Sequence, residues 1–311
     1  MDEPSAPLII GAGYVGGRVA HAWRREFGGR VFVTTRGRRK SIATDRPEMS
    51  LLQINVHDRR TLRHLTPEVV TDRTPVLIAV SHDRSSGRSP SATHVDGLRH
   101  VLDRLDQIGR TPPITLISTT GVYHQRGGVW VDERSPTRPT RPSSIAHLRG
   151  EALLRRRWSA AGRSATVLRL AGIYGPGRLP NVRDVRRGQV AVADPDSHLN
   201  LIHVDDAVAA CLRSMRRPGT RSRSNTNDLF CIADGHPVRR RVFYDAVAAA
   251  LRCEPPQYVA PPSPRSPRSI GGGDRRIRNR KLRRELLRDL SHPRAVDSVG
   301  PLVTADRDRR L

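Results

Sequence analysis

Lysine is almost absent from this chain: of its 55 basic residues only Lys40 and Lys281 are lysine, and the rest are arginine. Aromatic residues are also sparse, at 4% of 311 positions. A dedicated nucleic-acid binder concentrates basic charge and interleaves aromatics on which bases stack. Here the arginines are spread along the whole chain, so the formal charge of +25 reads as a compositional skew, and nucleic acid is disfavoured as the partner. The resulting field still attracts anions, and a phosphorylated small molecule is its better use. Cysteine is limited to Cys211, Cys231 and Cys253, odd in number and without metal-ligand spacing. That pattern argues against a disulfide framework or a zinc site, and no metal is expected. No apolar run reaches the ~18–20 residues of a membrane span. The start, Met1-Asp2-Glu3-Pro4, is acidic where a secretory leader is basic, so a cytoplasmic protein is expected.

What is present begins at Leu8-Ile9-Ile10-Gly11-Ala12-Gly13-Tyr14-Val15-Gly16-Gly17. An apolar strand-like run breaks on glycines and continues, from Arg18 to Trp23, with apolar residues at helical spacing. Gly11, Gly13 and Gly16 form G-x-G-x-x-G after a strand and at the opening of a helix, the context that gives the motif meaning. Gly11 allows a tight turn, Gly13 lets a pyrophosphate approach the backbone, and Gly16 lets the helix pack closely on the strand. The N–H groups at the helix N-terminus and its positive end then face the phosphates, with Tyr14, Val15 and Gly16 as cofactor candidates. A second strand, Arg30 to Thr35, ends in Arg36-Gly37-Arg38-Arg39-Lys40. An acid at this point binds the ribose 2′-hydroxyl of NAD, whereas arginine suits the 2′-phosphate of NADP. With Arg36 first and Arg38 second, NADP is preferred over NAD. Asn55, at the end of the third strand (Ser50 to Val56), is a further cofactor candidate.

Strands at 75–80, 114–118 and 165–170 alternate with helices at 92–108 and 144–160, the pattern of a doubly wound parallel sheet. Residues 5–172 read as the NAD(P)-binding domain and 173–290 as a smaller substrate-binding part with segments returning to the sheet. Within that part, 278–290 reads as a basic amphipathic helix carrying Leu282, Leu286 and Leu287. Residues 291–311 read as a loosely ordered tail. Asp205 and Asp206, at the start of a helix through Met215, read as N-terminal caps.

With these residues laid out, the chain resembles the short-chain dehydrogenase/reductase superfamily, in particular its extended branch of epimerases and dehydratases, over roughly positions 7–290. GAGYVG is similar to the cofactor motif, although the extended branch usually has G-x-x-G-x-x-G. ISTTGVY at 117–123 is similar to the strand-five motif that ends in a catalytic Ser or Thr. LRLAGIYGPGR at 168–178 and LIHVDDAVAACL at 201–212 follow in the family's order. The resemblance implies a Rossmann fold, an NAD(P) cofactor, a small-molecule substrate that is phosphorylated or nucleotide-linked, and homodimers as an option.

The resemblance also implies a Tyr-x-x-x-Lys pair on the helix after strand five, with tyrosine as acid/base and lysine on the nicotinamide ribose. Aligning on Glu151 puts Ser143 at the tyrosine position and His147 at the lysine position. No tyrosine or lysine lies between Val129 and Trp158, so no shift of register restores the pair. The catalytic candidates are then Thr119, at the family's Ser/Thr position, with Tyr123 and His147 as substitute acids. Two functional readings follow. The first is an NAD(P)-dependent oxidoreductase, epimerase or dehydratase; the alternative is a catalytically silent NADP(H)-binding sensor or scaffold.

Overall fold

The computed structural model describes residues 5–37, 49–188, 191–217, 229–259 and 273–308. The first described elements are β1 Leu8–Ile10, α1 Gly16–Phe27, β2 Val31–Thr35, β3 Met49–Gln53 and β4 Val76–Ile78. Next come α2 Gly97–Gln107, β5 Ile114–Thr119, β6 Val129–Val131, α3 Pro142–Arg157, β7 Ala165–Leu170 and β8 Gly172–Tyr174. The chain continues with α4 Val182–Arg186, β9 Ala191–Ala193, β10 His198–Leu199, β11 Leu201–His203, α5 Val204–Met215 and β12 Leu229–Ile232. It closes with β13 Val238–Arg239, α6 Arg240–Leu251, β14 Gln257–Val259, β15 Arg275–Ile277, α7 Arg280–Glu285 and α8 Ala295–Asp308.

Seven strands form one sheet in the order β12-β7-β5-β4-β1-β2-β3. The pairs from β3 to β5 are parallel, with Leu8 opposite both Phe32 and Val76. The central strands LII and VLI are buried at every position, as expected for strands covered on both faces. Strand order reverses direction between β1 and β4, and that reversal point is where open α/β sheets bind ligands.

Backbone contacts divide the chain into two compact units. Unit 1 comprises Met1–Val122, Pro139–Arg169 and Val208–Phe230; unit 2 comprises Tyr123–Arg138, Leu170–Ala207 and Cys231–Leu311. In unit 1, Leu8, Ile10, Val76, Leu102, Leu154 and Trp158 belong to one buried apolar cluster. The amphipathic spacing of Leu98, Val101, Leu102 and Leu105 puts all four on the buried face of α2. The helix expected over 92–108 starts as a single π turn, Ala92–Asp96, before α2 proper. In unit 2, Tyr174, Phe243, Val247, Val299 and Leu302 form a separate buried cluster.

Three expectations are corrected in unit 2. Residues 291–308 are not a loose tail, because Ala295–Asp308 forms α8 and buries Ala295, Val299, Leu302 and Val303 against α6. Their apolar spacing was obscured by Gly300 and Pro301. The basic helix expected over 278–290 is confined to α7, whose Leu282 is fully buried. It stops because the amides of Leu286 and Leu287 both turn back to the Leu282 carbonyl. Asp206, expected as a cap, is buried, and its carboxylate instead accepts the backbone N–H groups of Ser291 and His292 at 2.8 and 3.0 Å. Among the described residues, no helix is long and apolar enough to cross a membrane.

Candidate functional site

A cavity of ≈ 420 Å³ opens in unit 1 at the carboxyl ends of β1, β2 and β4. Its wall includes Gly11, Gly13, Thr34, Arg36, His57 and Ala79. The glycines differ in what they permit. Gly11 has φ +107°, and a Cβ there would lie 2.8 Å from the Ala79 carbonyl oxygen, so both turn geometry and close packing demand glycine. Its N–H donates to Thr34 Oγ1 at 3.0 Å, tying the turn to β2. A Cβ on Gly16 would come within 2.0 Å of the Gly11 carbonyl oxygen. Only glycine therefore lets α1 begin so close to the end of β1. A Cβ on Gly13 meets nothing within 4 Å, which leaves open space over that peptide. Helix α1 has no side-chain cap on Val15 and no acid in its first turn, so its positive end is not neutralised locally.

The other cofactor candidates are distributed unevenly. Tyr14, Val15 and Gly16 form the turn into α1 rather than the cavity wall; the Arg18 guanidinium stacks 4.0 Å from the Tyr14 ring centroid. Arg36 lines the cavity, and its Nη2 donates to Asp83 Oδ2 at 3.0 Å. Asp83 arrives from the loop after β4, 47 residues away in sequence, and so brings an acid to Arg36 that the end of β2 does not itself carry. Hydrogen bonds from Ser85 and then from Arg36 hold its carboxyl below the usual range. Arg38 lies outside the described residues. Asn55 does not line the cavity: its Oδ1 accepts the His57 N–H at 3.2 Å, closing a local turn. His57, which no local motif marks, sits in the wall with its pKa lowered by partial burial and by nearby Arg88. The cavity is thus flanked by cationic or hydrogen-bonding groups suited to an anion.

The catalytic candidates have different partners. Thr119 ends β5, and its Oγ1 accepts the Gly121 N–H at 3.0 Å. A Cβ on Gly121 would lie 3.2 Å from that oxygen and 2.9 Å from Ser144 Oγ, so two hydroxyls border this glycine. Ser144 was missed because it neighbours the expected tyrosine position without occupying it. Ser143 itself is exposed. His147 is turned against the imidazole of His94, with ring centroids 3.7 Å apart. Burial lowers its pKa to about 4 and that of His94 to about 3. Both line a small apolar cavity with Leu98, Val101 and Leu116. Gly150, one turn on, permits this approach, since a Cβ there would meet the His94 carbonyl oxygen at 2.5 Å. Tyr123 belongs to unit 2, is 2% exposed, and has its hydroxyl 3.0 Å from Cys231 Sγ. It is a packing residue, because a phenol sealed in a core has no route to a substrate proton.

Glu151 has a structural role. Its carboxylate is buried and receives Arg169 Nη2 at 2.7 Å and Nε at 3.1 Å, together with the Ser118 hydroxyl. These bonds clamp α3 onto β5 and β7.

A parallel sheet whose order reverses at β1/β4, with a glycine turn and helix N-terminus at that reversal, defines a Rossmann-type α/β protein. The chain belongs to the NAD dependent epimerase/dehydratase family, whose model matches residues 8–227. It is 34% identical over 203 residues to Protein YeeZ of Escherichia coli K12, covering 63% of this chain and 69% of that protein. Among solved structures, it is similar to a UDP-glucose 4-epimerase from Thermotoga maritima with UDP-glucose, at 19% identity and TM-score 0.79. That match covers 98% of this chain and 100% of the other. A dTDP-glucose 4,6-dehydratase from Streptomyces venezuelae with NAD bound gives 20% identity and TM-score 0.76, covering 98% of each chain. These two likenesses speak to the fold.

Proposed function

We propose that the cavity beside Gly13 takes NAD(P), with NADP preferred through Arg36, and that the protein uses it on a nucleotide-linked small molecule in the cytoplasm. The observation that carries this reading is the cradle itself. Gly11 and Gly16 are sterically required, while Gly13 leaves a gap over its peptide that faces the uncapped start of α1. Dinucleotide pyrophosphates use this combination of bare backbone and helix end. Arg36 stands at the end of β2, where the adenine ribose is recognised. Its pairing with Asp83 is solvent-exposed and therefore weak, so a 2′-phosphate can compete for the guanidinium. The nucleotide-sugar chemistry of the similar epimerase and dehydratase supports the substrate class. In this reading Thr119 orients the substrate hydroxyl, with Ser144 beside it.

A second reading is favoured by the start of α3. The tyrosine position is an exposed serine, and the lysine position is an imidazole packed on His94 and neutral at physiological pH. No phenol is placed next to a cation there, so the protein would bind NADP(H) without turnover, as a sensor or scaffold. Calorimetric titration with NADPH and NADH, followed by turnover assays on UDP- and dTDP-sugars, separates the two. Binding with turnover that falls in Thr119→Ala supports the enzyme. Binding with no turnover across the panel supports the sensor, and an absence of binding to either nucleotide overturns both.

A further inference from the structure

Unit 2 contains a cluster of chemistry-bearing side chains of its own. His203 closes β11, Asp205 lies in the first turn of α5, and His292 sits in the connection between α7 and α8. Their ligand atoms all lie within 4.8 Å of one another. Asp205 Oδ2 is 3.6 Å from His203 Nδ1 and 3.8 Å from His292 Nε2. Four-coordinate zinc, with bonds of about 2.0–2.1 Å, places neighbouring ligand atoms about 3.3 Å apart by tetrahedral geometry. The cluster is within a few tenths of an ångström of that spacing on two of its edges.

The Asp205 backbone N–H donates to His203 Nδ1 at 3.3 Å, so that nitrogen is an acceptor, with its lone pair toward the start of α5. Ser298 Oγ lies 3.3 Å from His292 Nδ1. With that nitrogen protonated toward the serine, His292 Nε2 turns its own lone pair to Asp205. Metal-binding histidines are commonly oriented by such a hydrogen bond on the opposite nitrogen. The loop carrying His292 is itself held in place, since the Asp206 carboxylate accepts the amides of both Ser291 and His292. The two imidazoles stack with centroids 3.6 Å apart. Two imidazole nitrogens and a carboxylate oxygen thus lie within 4.8 Å of one another, bordered by solvent on the Asp205 side, whose side chain is 63% exposed.

We propose that His203, Asp205 and His292 bind a divalent transition-metal ion of the zinc class, with a fourth position open to water. Two imidazoles and one carboxylate suit Zn²⁺ or Co²⁺ rather than Ca²⁺ or Mg²⁺, which prefer all-oxygen sets. The ion would replace the long Asp205 N–H contact, and that amide, at the exposed start of a helix, can turn to water. Bound there, it would pin the α7–α8 connection to the start of α5. This proposal does not depend on the dinucleotide reading.

The test uses the full chain, freed of metal with chelator. Co²⁺ titration should give a visible ligand-field band that saturates at one equivalent and is displaced by Zn²⁺. Zn²⁺ should also raise the thermal midpoint. His292→Phe keeps the stacked ring and removes the ligand atom, and Asp205→Asn changes an exposed side chain; each should weaken Co²⁺ binding at least about 10-fold. The proposal is overturned if no saturable band appears, or if Asp205→Asn binds Co²⁺ as tightly as the parent. If His292→Phe does not fold, the Asp205→Asn result decides.

Discussion

At the β1–α1 turn, the groups that would meet the proposed cofactor are backbone peptides; at the start of α3, the groups that would act on a substrate are side chains. Both lie in unit 1. The turn keeps the features a phosphate needs, because a backbone cradle is fixed by packing: Gly11 against Ala79, and Gly16 against Gly11. The helix keeps its position through Glu151, Arg169 and Ser118, yet presents different chemistry at 143 and 147. The scaffold that holds α3 does not depend on which residues stand at 143 and 147. In the proposed reading, cofactor binding and catalysis would rest on separate physical foundations.

Five expected outcomes test that separation, and the largest concerns the scaffold. Glu151→Ala leaves the Arg169 guanidinium buried without its carboxylate and should cost about 3–5 kcal/mol of stability in urea denaturation. A loss below about 1 kcal/mol would mean the clamp does not hold α3. Next is the His94–His147 stack. Both imidazoles are held neutral in the folded protein, at about 3 and about 4, against an unfolded value near 6.5. The unfolded chain therefore binds protons first. The stability this pair contributes is complete above about pH 6.5 and is lost as pH falls toward 4. His147→Leu should flatten that loss by about 3 kcal/mol at most when denaturation curves at pH 7.5 and pH 4.5 are compared. Equal pH dependence in parent and variant would show that the stack is solvated.

The third outcome concerns the cradle. Gly13→Val should leave the fold intact, since its side chain enters open space, while weakening NADPH by about 100-fold, or about 2.7 kcal/mol. If NADPH affinity is unchanged, the cavity beside Gly13 is not the pyrophosphate site. The smallest effect sharpens nucleotide choice. Arg36→Ala should weaken NADPH about 10-fold with little change for NADH. Asp83→Asn should shift preference toward NADPH by a few-fold, because the guanidinium loses its resident partner. Equal losses for both nucleotides in Arg36→Ala would remove the 2′-phosphate assignment.

Much of unit 1 was legible in the sequence because its signals are local. Strand-to-glycine-to-helix at 8–23 and the apolar runs at 76–78 and 114–119 need only neighbouring residues to be read. Asp83 beside Arg36 and His94 on His147 were not legible, because each pair joins segments far apart in the chain. Asn55 reads as a cofactor candidate in sequence, and in the fold its Oδ1 accepts the His57 N–H. Helix α8 was hidden by Gly300 and Pro301, which weaken a local helical signal that burial against α6 overrides.

The sequence by itself determined the parallel sheet, the glycine turn and the lack of a tyrosine–lysine pair, since residue type and spacing along one segment suffice for each. Tertiary structure alone decided that Tyr123 is core, that His147 is paired and neutral, that Arg36 meets a carboxylate, and that His203, Asp205 and His292 share one corner. Those outcomes depend on which distant side chains meet and how much water is excluded. Neither is encoded in the order of residues along a single strand or helix.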